Sequence, residues 1–439
     1  MSALTPTGPD ATTAGPGPGQ HETLPLKVLG IAAVLGVLGA VGATLLLAVI
    51  DTAQAWVWTD LPAAVGLTTV PWWWVVVALL AGAGVVALAW RLPGATGKSP
   101  LTGLHFDTLP ANAPSFLLAA LGSLIFGFVL GPEAPLVILG TTIGALAMRG
   151  RPPQIVQLAM LLGGAAAIGA IFGNPFITAF MLLEFAAMGA MPAVVLMPAF
   201  VALGAGYIVQ VGIGRWAGLG DHVLAVPGMP AYETLTWYDL VGGVAIAIVA
   251  ALAAALAREL GERVESVAKR RRAVVLVAAA LVTAALALGV AAITGVSAEL
   301  VLFSGQPAMP ELIAETSAVT VLLIVVAKTL AYGLALGGGY RGGPIFPATF
   351  IGVGVGVLAS ILVADLSVSA MAAAGIAATA TVMLRLPFTS AMLGMLLIGS
   401  AGLAVAPLAI IGAVVGFGVR QGLDKADARR RPSPAAAPA

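Results

Sequence analysis

Gly131-Pro132-Glu133-Ala134-Pro135 recurs 212 positions later as Gly343-Pro344-Ile345-Phe346-Pro347, and this recurrence decides the fold. At the same offset Gly140 and Gly144 fall on Gly352 and Gly356, and Gly163 falls on Gly375. Pro175-Phe176 falls on Pro387-Phe388, and Ala179 on Ala391. Biased composition produces scattered Gly and Ala matches. Two Gly-Pro-x-x-Pro runs and two Pro-Phe pairs at one offset need duplication of a structural unit.

The unit is a membrane one. Of 439 residues, 60% are hydrophobic and 9% charged, with a mean hydropathy of +1.06, whereas soluble domains are about a quarter charged. A formal net charge of +1 excludes a strongly basic nucleic-acid binder and an acidic disordered chain. Zero cysteines exclude disulfide frameworks, thiolate metal sites and cysteine nucleophiles. The three histidines, His21, His105 and His222, have no ligand spacing, so no metal site and no cofactor is expected.

Apolar segments are expected near 26–50, 72–92, 114–130, 136–148, 155–171, 175–190, 193–213, 237–257, 273–294, 317–336, 345–364, 369–384, 387–403 and 404–420. Several fall short of the roughly 20 residues a straight crossing needs, and Gly and Pro bound them at 131–135, 173–175, 342–347 and 385–387. Broken helices persist at membrane depth only where their loose backbone packs on protein or lines a cavity. The expected organisation is a disordered Pro/Gly/Thr-rich tail over 1–25, a first membrane repeat over 26–230, a second over 231–422, and a disordered basic tail over 423–439. The fold class is an all-α polytopic membrane protein whose two inverted repeats bring broken helices together at a midplane site. Lys269-Arg270-Arg271-Arg272 and Arg429-Arg430-Arg431 place their segments, and both termini, on the cytoplasmic side. The Ala/Gly/Val/Leu-rich composition suggests a bacterial inner membrane.

Two helix N-termini facing one another across such breaks attract an anion through partial positive charge and unsatisfied N–H donors. They bind without a lysine or arginine holding the ion too tightly, as a conducting path requires. The repeat fails at one informative place: Glu133 faces Ile345. An ionisable side chain in so apolar a setting is costly and marks function by default. A carboxylate there occupies the place of an anion and, protonated, swings aside. The competing structural reading is a helix-capping glutamate.

These residues resemble the CLC family of chloride channels and chloride/proton exchangers. Gly131-Pro132-Glu133-Ala134-Pro135 is similar to its Gly-Arg/Lys-Glu-Gly-Pro motif, whose glutamate is the external gate. Gly342-Gly343-Pro344-Ile345-Phe346-Pro347 is similar to its Gly-Gly-Ile-Phe-x-Pro motif, whose backbone amides bind the central anion. Phe172-Gly173-Asn174-Pro175-Phe176 through Glu184, and Arg385-Leu386-Pro387-Phe388-Thr389, resemble two further family segments in the same order. The resemblance implies a homodimer in membrane lipid with one path per subunit, and Gly343, Ile345 and Phe346 at the anion.

Three departures stand out. The family's pore-serine motif is matched best by Thr96-Gly97-Lys98-Ser99-Pro100, so that either Ser99 supplies the hydroxyl or Gly97 takes the serine's place. Lys98 either raises the local anion concentration or snorkels at the interface. The family's internal proton-transfer glutamate is replaced by Phe185; Glu184, one residue earlier, is either structural or a possible proton-path group, although one residue turns a helical side chain by about 100°. No tyrosine follows the last apolar segment, and Tyr340 is the candidate pore tyrosine, its alternative being an interfacial anchor.

The expected activity is transport of chloride or a similar small anion through a glutamate-gated path, channel-like or weakly proton-coupled. A proton-coupled chloride or fluoride exchanger is the alternative. An intramembrane enzyme needs a nucleophile with a base or a ligand set such as His-Glu-x-x-His, and the sequence contains neither.

Overall fold

The computed structural model describes residues 25–94, 96–217, 226 and 228–430. The expected N-terminal tail lies outside the described residues up to 24.

The first half contains α1 (Leu26–Ala55), which passes through a π-helical turn at Trp56–Asp60 into α2 (Leu61–Ala64), then α3 (Trp72–Ala89) and α4 (Ala113–Leu124). It continues with α5 (Glu133–Ala147), α6 (Pro153–Phe172), α7 (Pro175–Ala187) and α8 (Leu196–Ala217). The second half contains α9 (Trp237–Ala268), α10 (Arg272–Thr294), α11 (Met309–Ala314) and α12 (Ala318–Gly337). It ends with α13 (Ile345–Leu362), α14 (Val368–Leu384), α15 (Pro387–Leu396) and α16 (Ala406–Arg430). Nine described helices are long and apolar enough to cross a membrane, and α5, α7, α14 and α15 are the short ones. The expected segments correspond to helices, with these differences: the one expected over 114–130 leaves the helix at Leu124, and the one expected over 237–257 continues to Ala268. The segment expected over 387–403 leaves the α-helix at Leu396 and continues as a 3-10 turn over Gly399–Val405. The tail expected to be disordered from 423 is helical through Arg430, and residues 431–439 lie outside the described ones. An Arg420–Asp424 pair at i,i+4, 2.9 Å apart, supports that extension.

Proline marks where the helices of each break begin. Pro132 and Pro344 cap α5 and α13, and Pro175 and Pro387 open α7 and α15. A first-turn proline gives up only an N–H that the helix leaves unpaired in any case. The duplicated glycines have the same packing job in both halves. A Cβ on Gly140 would lie 2.3 Å from the Gly163 carbonyl oxygen, and one on Gly375 would lie 2.2 Å from that of Gly352. Backbones cross there at distances only glycine permits, locking α5 on α6 and α13 on α14.

Gly131 and Gly343 pair as an antiparallel bridge. The Gly131 N–H donates to the Gly343 carbonyl at 2.8 Å, and the Gly343 N–H donates back at 2.5 Å. Antiparallel pairing of two equivalent residues puts a local two-fold axis through the pair. The repeats are therefore inverted, and their breaks meet at that axis.

Candidate functional site

At this crossing the Glu133 side chain is fully buried. It leaves the first turn of α5 and reaches the start of the other repeat, where Oε1 accepts the Phe346 N–H at 2.7 Å. Phe346 stands in the first turn of α13, whose leading amides have no partner within the helix. The carboxylate thus occupies a helix N-terminus, as an anion would. Its Oε2 has no hydrogen-bond partner among the described residues. The space it fills exists because two neighbours lack side chains. A Cβ on Gly343 would lie 1.7 Å from Oε2, and one on Gly131 would lie 2.2 Å from it.

The other residues of the anion motif divide. The Phe346 amide points at the site, and Ile345 is buried in the same turn. Gly343 does not offer its amide to a ligand, because Gly131 consumes it; its contribution is room. Below the break, the Ser99 Oγ accepts a long 3.4 Å bond from the Leu101 N–H. With Gly342 of the second break and Ala134, next to Glu133 in the chain, it lines a cavity of about 20 Å³. Gly97 is in a left-handed conformation with φ 67°, and its carbonyl is directed at Arg341, so of the two candidates Ser99 is the one with a group to offer.

Lys98 is not an isolated cation. It forms a 2.8 Å salt bridge with exposed Asp107, and this bond holds the Asp107 carboxyl below its usual range. The attraction expected of Lys98 is locally cancelled by a partner nine residues away. Tyr340 spends its hydroxyl on backbone and its ring on packing. Its hydroxyl donates to the Leu276 carbonyl at 2.6 Å, and its ring stacks on Phe128 with centroids 3.6 Å apart. It is fully buried, so it is not an interfacial anchor either.

One residue that the sequence did not single out lies beside the site. Tyr332 of α12 is fully buried, donates to the Pro344 carbonyl at 2.8 Å and lies within electrostatic reach of Glu133. The available signal was a phenol in an apolar helix, which must find a partner. Arg341 binds backbone instead of a carboxylate: Nε donates to the Thr96 carbonyl at 2.6 Å and Nη1 to the Tyr340 carbonyl at 2.8 Å. It straps the turn before Ser99 to the second break.

Glu184 is used structurally. Its oxygens accept the Phe388 N–H at 3.0 Å, the Thr389 N–H at 2.9 Å and the Thr389 hydroxyl at 2.8 Å. It caps α15 from the neighbouring α7. Phe185, beside it, packs edge-on to Phe106 with centroids 6.3 Å apart. Lys328, buried with no acidic partner among the described residues, donates to the Leu300, Val301 and Leu302 carbonyls at 3.1, 3.2 and 2.8 Å. No group of three or more His, Asp or Glu that could hold a metal ion occurs among the described residues.

A family model described as "Voltage gated chloride channel" matches residues 99–421. A "Putative ion-transport protein YfeO" of Salmonella paratyphi A is 27% identical over 342 residues, covering 76% of this chain and 79% of its own. The protein of the same description from Salmonella newport matches to the same extent. Among solved structures, a slow cyanobacterial Cl-/H+ antiporter aligns with a TM-score of 0.71 at 16% identity, covering 91% of this chain and 96% of its own. A CLC-type fluoride/proton antiporter aligns with a TM-score of 0.69 at 19% identity, covering 90% of this chain and 96% of its own.

Proposed function

The chain belongs to the voltage gated chloride channel family, and from that premise we propose that it passes chloride or a similar small anion along a path closed by Glu133. It is an integral multi-pass anion-transport protein rather than an enzyme. The observation that carries the gate is the 2.7 Å bond from the Phe346 amide to the Glu133 carboxylate in a pocket shaped by Gly131 and Gly343. An arriving anion competes for that amide. Protonation of the carboxyl weakens its hold on the amide dipoles and lets the side chain leave.

Ser99, lining the cavity below, gives the ion its hydroxyl, and Tyr332 fixes Pro344 at the mouth of α13. Phe185 and the capping role of Glu184 favour channel-like or weakly coupled passage, since neither side chain is placed to carry protons. The solved relatives described as antiporters favour a second reading, proton-coupled exchange of chloride or fluoride. Two copies assemble in the inner membrane of a bacterium, each with its own path.

Anion efflux from proteoliposomes, recorded together with medium pH, tests this. Glu133→Gln is expected to raise efflux severalfold or to abolish its pH dependence. Unchanged pH dependence in that variant removes Glu133 from the gate. Stoichiometric proton uptake accompanying chloride efflux moves the assignment to the exchanger.

A further inference from the structure

We propose that His105 is the group through which protons on the basic face of the molecule reach the path closed by Glu133; this rests on the gate reading above. Two cavities carry the inference. The larger, about 820 Å³, is walled by the start of α1 at Val28, the start of α6 at Gln154 and Gln157, and the end of α7 at Phe185. The smaller, about 20 Å³, has room for about one water molecule and is lined by Ser99, Ala134 and Gly342, next to the gate. His105 is the one residue that lines both.

The other titratable side chains in these linings are Asp107 and Lys98, which neutralise one another across 2.8 Å. Where the larger cavity meets α7 its wall is the apolar ring of Phe185. His105 is thus the remaining proton-binding group between the open cavity and the gate.

The hydrogen-bond network fixes its tautomer. The Thr102 hydroxyl donates its single hydrogen to the Ser99 carbonyl at 2.6 Å. Its 2.8 Å contact with the His105 Nε2 must then be an N–H donated by the ring. In the neutral ring Nδ1 carries no hydrogen and presents a lone pair. A proton from water in the larger cavity forms one N–H bond at Nδ1, giving imidazolium. The same proton leaves to water in the smaller cavity and on to the Glu133 carboxylate, and the ring returns to its starting tautomer.

Burial, and then the Lys98 ammonium, lower the proton affinity of His105, while Asp107 and a hydrogen bond to the Thr102 backbone partly restore it. Its titration accordingly lies on the acid side of the ordinary histidine value of about 6.5.

The test is anion flux in everted membrane vesicles from expressing cells, whose bath meets the face carrying Lys269. Bath pH is varied while luminal pH is fixed. In the natural protein flux rises as the bath is acidified, with a midpoint below about 6.5. In His105→Gln the ratio of flux at about pH 5.5 to that at about pH 7.5 falls toward 1, while the response to luminal pH persists. His105→Ala loses the bath response and regains it when imidazole is added to the bath, which a folding defect would not permit. Asp107→Asn moves the midpoint to lower pH and Lys98→Gln to higher pH. A bath response retained by His105→Gln, or absent from the natural protein, overturns the proposal and leaves the gate untouched. If Glu133→Gln keeps the bath response, the gate reading falls and takes the proposal with it.

Discussion

Glu133 spends one carboxylate oxygen on the Phe346 amide and leaves the other wedged between two glycines. An added methyl at Gly343 therefore collides with the Glu133 side chain before anything else, at 1.7 Å from Oε2 and 2.9 Å from Cβ. Gly343→Ala is expected to expel the carboxylate, raising resting anion flux and costing about 1–3 kcal/mol of stability through overpacking. Thermal unfolding in detergent should show the loss shrinking when Glu133→Ala is already present, since most of the clash is with its side chain. Equal losses in both backgrounds would mean that the collision is with something other than Glu133. This residue was legible in the sequence because a lone carboxylate between Gly and Pro in an apolar run is too costly to bury without a use. Lys98 and Tyr340 were not: their roles depend on partners, Asp107 and Leu276, that proximity in sequence does not single out.

Among the elements, α15 shows most directly how the two halves are tied together. It is a ten-residue helix, too short to propagate strongly from its own hydrogen bonds, and Glu184 reaches over from α7 to take three of its leading donors. Glu184→Gln keeps the shape but turns an amide group toward N–H donors. It should lower stability by about 1–3 kcal/mol, seen as a fall in melting temperature. The pH dependence of flux from either face should be unchanged. A variant with normal melting and a lost pH response would make Glu184 part of the proton path instead. The helices were readable from hydropathy and from proline and glycine at their ends. Less readable was what each break holds: the exchanged hydrogen bonds of Gly131 and Gly343 arise only when residues 212 apart meet. The 212-residue offset predicted that meeting in outline, because equivalent residues of an inverted repeat approach one another on its axis.

At the scale of the whole molecule, the basic residues are gathered on one face, several of them paired there with acids. Arg272 stacks over Trp90, its guanidinium 3.6 Å from the ring centroid, and this joins the start of α10 to the end of α3. Arg258 donates to the Leu101 carbonyl, which brings the far end of α9 to the same place. Arg385 and Arg420 share Asp424, adding the end of α14 and the last turns of α16. Lys269 to Arg272 and Lys98 therefore lie on one face, and Arg149 and Arg151 join them where α5 ends and α6 begins. The loops reached by the opposite helix ends carry Asp60, Glu233, Glu299, Glu311, Glu315 and Asp365. Basic residues beside short loops are retained on the cytoplasmic side during insertion, so the face with the larger cavity and His105 is expected to be cytoplasmic. The absence of cysteine makes this easy to check. Single cysteines at exposed Lys269 and exposed Glu311 can be treated with a membrane-impermeant maleimide in whole cells. Glu311→Cys should react at once, and Lys269→Cys only after the membrane is opened. The reverse pattern would turn the molecule over, place the His105 cavity outside, and make the Glu133 gate answer through it to external pH.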